Sequence, residues 1–323
     1  MKKLFIMLAA AATVASCANE ETVMEAPGQA IEFGNVFVDN ATRATSATDP
    51  SYNSTNLDHF NVYGTINDIN IYNGNAVTKG SAAYGAAWTV ENNPNLRWIA
   101  GANYKFAAVV DATSVTPDAN GMPTSLGYDA GLQKDMLYNY VERTGLDSNN
   151  AIVAFNFTHL LSKVKFSVTN NTEASATNYQ YVVKNIKFTN ANLVGEYAVN
   201  GGTWTVATKG EYTAIANLTV ASNSTEYAAK EVLLIPGLND ADKVGMSFTI
   251  QPQIKNNSGN WADVGTPIVF NEEVIKLVAN TAYHFHITVG LNNTIQFTAN
   301  ALPDWNYDVN GNDVVDNDDI VEL

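Results

Sequence analysis

The sequence contains almost no cysteine: Cys17 is the only one among 323 residues. No disulfide can therefore form within the chain, and a folded region must be stabilised by its core alone. Positively charged residues are also scarce, with 17 lysines and arginines against 32 aspartates and glutamates and a net charge of −15. A surface of this sign repels phosphate backbones, which argues against nucleic-acid binding.

The sequence also lacks the motifs of common catalytic sites, namely a G-x-S-x-G elbow, a Walker loop and an H-E-x-x-H zinc motif. Among the four histidines, His59, His159, His284 and His286, only the last two have the spacing of metal ligands, because residues i and i+2 of a strand point the same way. The solvent face of an edge or half-exposed strand explains this pair more simply, and no third zinc ligand is evident. We therefore expect a protein that is not an enzyme.

Only one apolar run is long enough to consider as a targeting signal. Residues 4–14 follow Lys2 and Lys3, which is the arrangement of a secretory signal peptide, and the run is too short for a stable membrane span. No comparable run follows, so no transmembrane helix is predicted.

The signal ends in Val14-Ala15-Ser16-Cys17, which resembles the bacterial lipobox, where the cysteine is acylated and becomes the new N-terminus. Acyl chains anchor a protein by burying CH₂ groups, at about 0.8 kcal/mol each. Glu20 and Glu21 resemble the acidic export signal of Bacteroidetes surface lipoproteins. The alternative is a plain secreted protein whose Cys17 lies in the discarded peptide.

The remaining sequence alternates between apolar and polar residues with a period of two, and its turns are rich in asparagine and glycine. This pattern predicts an all-β protein built from antiparallel sandwiches. In KVKFSV, the residues expected to point inward are Val164, Phe166 and Val168, and those expected to point outward are Lys163, Lys165 and Ser167.

Other segments carry more specific predictions. In AIEFGNVFV, Ile31 and Phe33 should share one face and Val36 and Val38 the other, with a bulge at Gly34-Asn35. EVLLIPG favours a strand covered on both faces, and residues 40–56 favour an exposed loop. DMLYNYVERTGL fits either a helix or a strand.

The chain divides most naturally near residues 155–162, and about 300 mature residues suffice for two domains. The predicted segments are a signal peptide at 1–16, a polar tether at 17–29, an N-terminal sandwich at 30–157, a C-terminal sandwich at 158–305 and an acidic tail at 306–323.

The tail contains the one candidate cation site. DVNGNDVVDNDD places oxygen ligands at positions 1, 3, 5, 9 and 12 of a calcium loop, and these are Asp308, Asn310, Asn312, Asp316 and Asp319. Against this, position 6 is Asp313 rather than glycine, and only four residues follow the loop. The alternative is a hairpin turn at Asn310-Gly311 within a solvated acidic tail. Calcium is the only cofactor to which the sequence points, and none is required.

Several segments, in order along nearly the whole chain, together resemble one family. FNFTHLLSKVKFSV is similar to an F-x-H-x-x-S-K-V strand at Phe157, His159, Ser162, Lys163 and Val164. LRWIAGANYKFAAV is similar to a Trp…Gly-x-x-Tyr-x-Phe-x-Ala segment at Trp98, Gly101, Tyr104, Phe106 and Ala108. EVLLIPG, TAYHFHITV and IQFTANALPDW resemble an internal strand and the closing strands, and the lipobox and NATRAT fit as well. The set resembles the fimbrillin (Mfa-like) family of Bacteroidetes type V pili.

The resemblance implies two tandem transthyretin-like antiparallel β-sandwich domains and export as a surface-exposed outer-membrane lipoprotein. It further implies that an arginine-directed protease removes the lipidated segment with the first strand, and that a strand of another pilus subunit fills the groove. Here AIEFGNVFVDN is the strand that would leave, and the cut would fall between Arg43 and Ala44. The alternative is that Arg43 is an ordinary surface residue of a linker.

The tail bears on the kind of subunit. Only 18 residues follow Trp305 and six are acidic, and buried carboxylates need partners, so this tail is a poor donor strand. We therefore expect a tip or accessory adhesin of a fimbrium. The alternative is a non-polymerising, surface-anchored lipoprotein that binds a glycan or a host protein, which exposed side chains of Trp88, Trp98 or Trp204 would support.

Overall fold

The computed structural model describes residues 29–38, 52–80, 88–93, 95–145, 152–290, 294–302 and 305. The signal peptide, most of the tether and the whole acidic tail lie outside these residues. So do the predicted lipidation, processing and calcium residues, which are Cys17, Arg43, Ala44, Asp308, Asn310, Asn312, Asp316 and Asp319.

The described residues form strands almost throughout, which confirms the all-β prediction. No helix among them is long and apolar enough to cross a membrane. Two short 3₁₀ turns occur at Ala130–Leu132 and Asp240–Asp242. The strands are β1 (Glu32–Val38), β2 (His59–Ile66), β3 (Ile69–Lys79), β4 (Trp88–Val90), β5 (Asn103–Val110), β6 (Ser114–Pro117), β7 (Pro123–Asp129), β8 (Leu137–Thr144), β9 (Ile152–His159), β10 (Ser162–Asn170), β11 (Tyr179–Ala198), β12 (Thr203–Ala221), β13 (Ser224–Tyr227), β14 (Val232–Leu234), β15 (Val244–Lys255), β16 (Trp261–Asp263), β17 (Ile268–Ile275), β18 (Thr281–Val289) and β19 (Ile295–Ala301).

The first sheet has the order β1-β9-β8-β5-β2-β3-β4. Its neighbours are antiparallel except for β1 and β9, which run parallel. One face buries an aromatic core that includes Phe60, Phe106, Phe155 and Phe157. These residues alternate along their strands, so the period of two in the sequence places them on one side.

The other two sheets pack face to face as a sandwich. One has the order β13-β10-β18-β19, with β14 also paired to β10, and the other has the order β16-β15-β11-β7-β6, with β12 and β17 paired to β11 and β15. Phe166 of the first and Phe188 of the second have ring centroids 5.6 Å apart, and Phe188 lies 5.7 Å from Phe285. β10 and β18 are parallel, so the sandwich is not purely antiparallel.

The hairpin of β6 and β7 joins a sheet whose other strands lie much later in the chain. Leu126 of β7 pairs with Tyr197 of β11, on the far side of the predicted boundary at 157/158. Leu126 and Tyr128 enter the same core as Phe166 and Phe188. The division into two domains stays a prediction.

β1 contains the predicted bulge, because its register with β9 shifts between Gly34 and Phe37. The predicted assignment of faces is wrong: Ile31, Phe33 and Val38 enter one core, and Val36 packs against it. The extra residue of the bulge reverses the alternation, so side chains of opposite parity reach the same side.

Two segments can now be assigned. DMLYNYVERTGL, which fitted a helix or a strand, contributes β8. EVLLIPG contributes β14, whose three side chains are all buried, as predicted for a strand covered on both faces.

Candidate functional site

The first strand is the element on which the expected function depends, and β1 lies at the end of its sheet. Phe33 is its central anchor. Its ring stacks on Phe155 at 5.9 Å and meets Tyr72, Phe106 and Phe60 edge-on at 5.4, 5.7 and 6.4 Å. Such a side chain stabilises by about 1.5–3 kcal/mol through burial alone. β1 is therefore part of the core rather than an accessory strand.

The opposite face of β1 is open to solvent, where Phe37 is 60% exposed. At Gly34 a Cβ atom would lie 3.2 Å from Cγ2 of Ile152 and 3.9 Å from Cδ1 of Trp88. The glycine thus lets β1 fit closely between its partner strand and β4.

The segment that begins at Tyr52, after the undescribed residues 39–51, is held in place by hydrogen bonds. The backbone N–H of Val38, at the end of β1, donates to Oγ of Ser54 at 3.0 Å. The N–H of Tyr52 donates to Oδ2 of Asp135 at 2.8 Å. Asn53 is buried, and its Oδ1 accepts from the N–H of Asn56 at 3.0 Å. Residues 52–56 are the described end of the segment predicted as an exposed loop. Thr55 and Asn56 are exposed there, whereas residues 52–54 are held by hydrogen bonds to the fold.

A charged cluster surrounds the side chain of Tyr52. Its hydroxyl donates to Asp111 Oδ2 at 2.7 Å, and Lys134 lies 3.2 Å from Oδ1 of the same carboxylate. Burial favours the neutral form of Asp111, yet His59, Tyr52 and Lys134 outweigh it and lower its pKa to about 2. Asp111 and Asp58 in turn raise the pKa of His59 to about 9. The cluster is therefore ionised near neutral pH and fixes the start of β2.

A second cluster joins the family-like motif to the closing strands. Nδ1 of His159 lies 2.9 Å from Oδ2 of Asp135, and both side chains are fully buried. The imidazole stacks on the ring of Trp305, with centroids 4.0 Å apart and planes 14° from parallel. Nζ of Lys163 lies 5.2 Å from the centre of the Trp305 ring. His159 and Lys163, from one family-like motif, therefore meet Trp305, which ends another.

Asp135 is the member of this cluster that sequence reasoning missed. Its partners, Tyr52 and His159, are 83 and 24 residues away in sequence. It lies in a short connection without periodicity, so no local pattern marks it. Its carboxylate connects two segments that sequence spacing cannot relate.

The residues of β10 that were predicted to point outward do face away from the sandwich core, but they are buried. Lys163 and Lys165 lie 3.3 and 3.1 Å from the two carboxylate oxygens of Glu231. Ser167 Oγ bonds to His284 Nε2 at 2.7 Å and to His286 Nδ1 at 2.5 Å. Paired charges and satisfied hydroxyls can be buried at little cost, which alternation alone does not reveal.

The histidine pair with metal-like spacing lies within this polar face. Of the two positions predicted, an edge strand or a half-exposed one, the edge does not apply, because β18 lies between β10 and β19, and the two side chains are half-buried. Burial, His286 and Lys165 lower the pKa of His284 to about 4, and burial lowers that of His286. Within the described part of the chain, no three histidine, cysteine or acidic side chains form a group that could hold a metal ion. The pair serves the sheet through its bonds to Ser167.

The tryptophans proposed as sugar-stacking residues are largely internal. Trp98 and Trp204 are buried in the two cores, and Trp88 packs against Phe60 at 5.2 Å. Trp261 is 38% exposed beside Lys255 and was not singled out from the sequence. At the tip of a hairpin the sequence does not alternate regularly, so it does not distinguish an exposed aromatic ring from a buried one.

Comparison with known proteins gives the following relationships. Residues 42–305 match the sequence profile of the fimbrillin-like family. No curated protein sequence matches significantly. A fimbrial protein of Bacteroides vulgatus has a similar structure, with a TM-score of 0.59 at 13% identity over 85% of this chain and 99% of that one.

Two further structures are candidate cell adhesion proteins. One, from Bacteroides uniformis, has a TM-score of 0.52 at 19% identity over 86% of this chain and 98% of its own. The other, from Parabacteroides distasonis, has a TM-score of 0.50 at 9% identity over 84% and 95%. At these identities the likeness is one of fold.

Proposed function

Since the chain belongs to the fimbrillin-like family, we propose that it is a subunit of a surface fimbrium that assembles with other pilus subunits by exchange of β strands. The observation that carries this proposal is β1, an end strand held parallel to β9 with Phe33 inserted among four aromatic rings. Removal of such a strand leaves an open edge and an apolar groove. Strand addition satisfies both, because backbone hydrogen bonds pair along the edge and alternate side chains fill the pockets.

The proposed maturation uses residues outside the described part of the chain. Cys17 carries the lipid, and Glu20 and Glu21 direct the protein to the outer face of the outer membrane. An arginine-directed protease then cuts between Arg43 and Ala44. Its product would lose β1 but keep the segment from Tyr52 onward, which Asp135 anchors.

The position proposed for the subunit is at the tip or as an accessory adhesin with a surface receptor. Six acidic residues at 306–323 make this segment a poor filler of an apolar groove, which supports a subunit that receives a strand. Calcium binding by Asp308, Asn310, Asn312, Asp316 and Asp319 stays a prediction, and strand exchange does not require it.

The second candidate function is a surface-anchored lipoprotein that binds a glycan or a host protein without polymerising. The exposed ring of Trp261 beside Lys255 favours it, since sugars stack on exposed aromatic rings. The two functions differ in whether β1 leaves the fold.

The test uses soluble protein beginning at Glu20, treated with an arginine-specific protease, with Arg43→Ala as control. A new N-terminus at Ala44 together with loss of β1 supports strand exchange, and rods in electron micrographs identify a polymerising subunit. Cleavage without rods fits the tip or accessory position. An uncut, folded protein contradicts processing at Arg43 and favours the anchored binding protein.

A further inference from the structure

We propose that Trp305 holds the first strand in place through His159 and Asp135, so that withdrawal of Trp305 loosens β1. The inference deepens the proposed function and rests on it, because it concerns when the groove can open. Trp305 is the last described residue of the chain, while β1 is its first described strand. Contacts among described residues connect the two.

The first link is the position of His159 at the end of β9. β1 pairs with β9 from Glu32 opposite Ile152 to Val38 opposite Phe157. His159 is therefore two residues beyond the last pair of this ladder. Any displacement of His159 acts directly on the end of the strand that carries β1.

The second link is Asp135, whose carboxylate meets both His159 and the backbone N–H of Tyr52 at 2.9 and 2.8 Å. Two residues after Tyr52, Ser54 accepts the N–H of Val38. The orientation of this one buried carboxylate thus supports both sides of the end of β1. If His159 moves, Asp135 loses a partner and the anchor of Tyr52 weakens.

The third link is the stack of Trp305 on His159. Their centroids are 4.0 Å apart, and Lys163 lies by the same indole. Among the described residues, neither Nε2 of His159 nor Nε1 of Trp305 has a hydrogen-bond partner. Ring stacking rather than hydrogen bonding therefore keeps the outer edge of His159 in place.

Because the indole N–H has no hydrogen-bond partner among the described residues, the contact is also easier to release. A buried donor without an acceptor is penalised relative to the same group in water. Withdrawal of Trp305 recovers that penalty, which offsets part of the lost stacking. The contact is thus suited to a switch: β1 is firmly held while Trp305 is docked and is easier to remove once it leaves.

Coupling of this kind is reciprocal, because the same free energy connects both events. Removal of β1 should also weaken the hold on Trp305. In an assembling fibre, a subunit whose C-terminal end is drawn away would open its own groove. The order of opening and filling would then be built into each subunit.

The experiment measures hydrogen exchange of the β1 peptide in unprocessed protein beginning at Glu20. Trp305→Ala should speed exchange of residues 32–38 by at least about fivefold, the lower end of typical coupling. Trp261→Ala, which removes an exposed tryptophan from a distant hairpin, should leave β1 unchanged. Trp305→Phe keeps a ring for stacking and should restore most of the protection.

A second variant separates a specific link from general loss of packing. In a His159→Leu background, Trp305→Ala should add nothing further to the exchange of β1. Unchanged β1 exchange in Trp305→Ala would overturn the inference, and so would equal acceleration of β1 and β15. This measurement involves neither the protease nor assembly. A negative result would therefore contradict the coupling and not the proposed function. Conversely, absence of processing at Arg43 would not contradict the coupling.

Discussion

At the scale of single residues, β1 presents two phenylalanines in opposite environments. Phe33 lies among four aromatic rings, whereas Phe37 is mostly exposed. We expect Phe33→Ala to lower the free energy of unfolding of the unprocessed protein by about 3–5 kcal/mol, because it leaves a cavity. Urea unfolding measures this, with Phe37→Ala as the control on the same strand. Equal effects of the two substitutions would contradict the assigned faces of β1.

The processed protein gives a further check on Phe33. Once β1 has been removed, the substitution is no longer part of the molecule. Wild type and Phe33→Ala should then have the same stability after cleavage. A remaining difference would mean that β1 stays bound.

The pH dependence of stability follows from two histidines with opposite shifts. The folded pKa of His284 is about 4 against an ordinary 6.5, so the unfolded chain binds more protons between these values and stability falls as pH falls. The pKa of His59 is about 9, so its contribution is complete below pH 6.5 and lost as pH rises through 9. Stability should therefore be greatest near pH 6.5.

His284→Gln should reduce the loss of stability between pH 6.5 and 4, by up to about 3 kcal/mol. His59→Gln is the matched control, which should flatten the alkaline side and leave the acid side intact. Midpoints of urea unfolding, measured from pH 4 to 9.5, give the stability on the acid and the alkaline side of the maximum. If His284→Gln left the loss of stability between pH 6.5 and 4 unchanged, the buried, neutral state of this ring would be contradicted.

Sequence reasoning at this scale found the apolar residues and missed the buried polar ones. The inward orientation of Phe33 and Phe166 could be predicted from the alternation of apolar and polar residues. Lys163 and Ser167 have the same alternation as solvent-facing residues, and only their partners Glu231 and His284, distant in sequence, explain their burial.

At the scale of elements, β12 is a long strand that pairs with β11 and with no other described strand. Open edges invite aggregation, and charges and bulges protect them. Here Lys209 pairs with Asp242, Glu211 pairs with Lys187 at 3.1 Å, and the register with β11 shifts four times.

We therefore expect the double variant Lys209→Thr, Glu211→Thr to aggregate faster than wild type on warming, as measured by light scattering. The matched control is Lys105→Thr, Glu142→Thr, which removes a facing pair from the interior of the first sheet. Faster aggregation of the control than of the β12 variant would contradict the protective role of these charges.

The sequence predicted strands well but could not predict how they pair. The sequence did not decide between a helix and a strand for β8, because LYNYVERT contains residues that favour each. The parallel pairs β1–β9 and β10–β18 connect strands more than 100 residues apart, where no hairpin turn specifies direction.

At the scale of the whole molecule, the hairpin of β6 and β7 is the connection between early and late parts of the chain. A fragment of residues 158–305 would lack Leu126 and Tyr128 and would leave part of the edge of β11 open. We expect this fragment to show no cooperative thermal transition. Residues 112–305, which keep the hairpin, are the control and should unfold more cooperatively. A sharp transition in the shorter fragment would contradict this role of the hairpin.

Composition and ordered motifs allowed the fold class and the family to be predicted, since both depend on patterns along the chain. The meeting of Tyr52, Asp135, His159 and Trp305 could not be predicted, because it depends on how the first sheet packs against the sandwich. The first strand and the closing tryptophan are connected, through Asp135 and His159, only in the folded molecule.

The central claim is that β1 occupies an exchangeable groove, and the most direct test is rebinding of that strand. Protein cleaved after Arg43 and freed of β1 would be titrated with the peptide AIEFGNVFV, residues 30–38, and with a matched peptide carrying Phe33→Asp. We predict saturable binding of the first peptide with a rise in thermal stability, and no binding of the second. Equal binding of both peptides, or of neither, would contradict strand exchange at this groove.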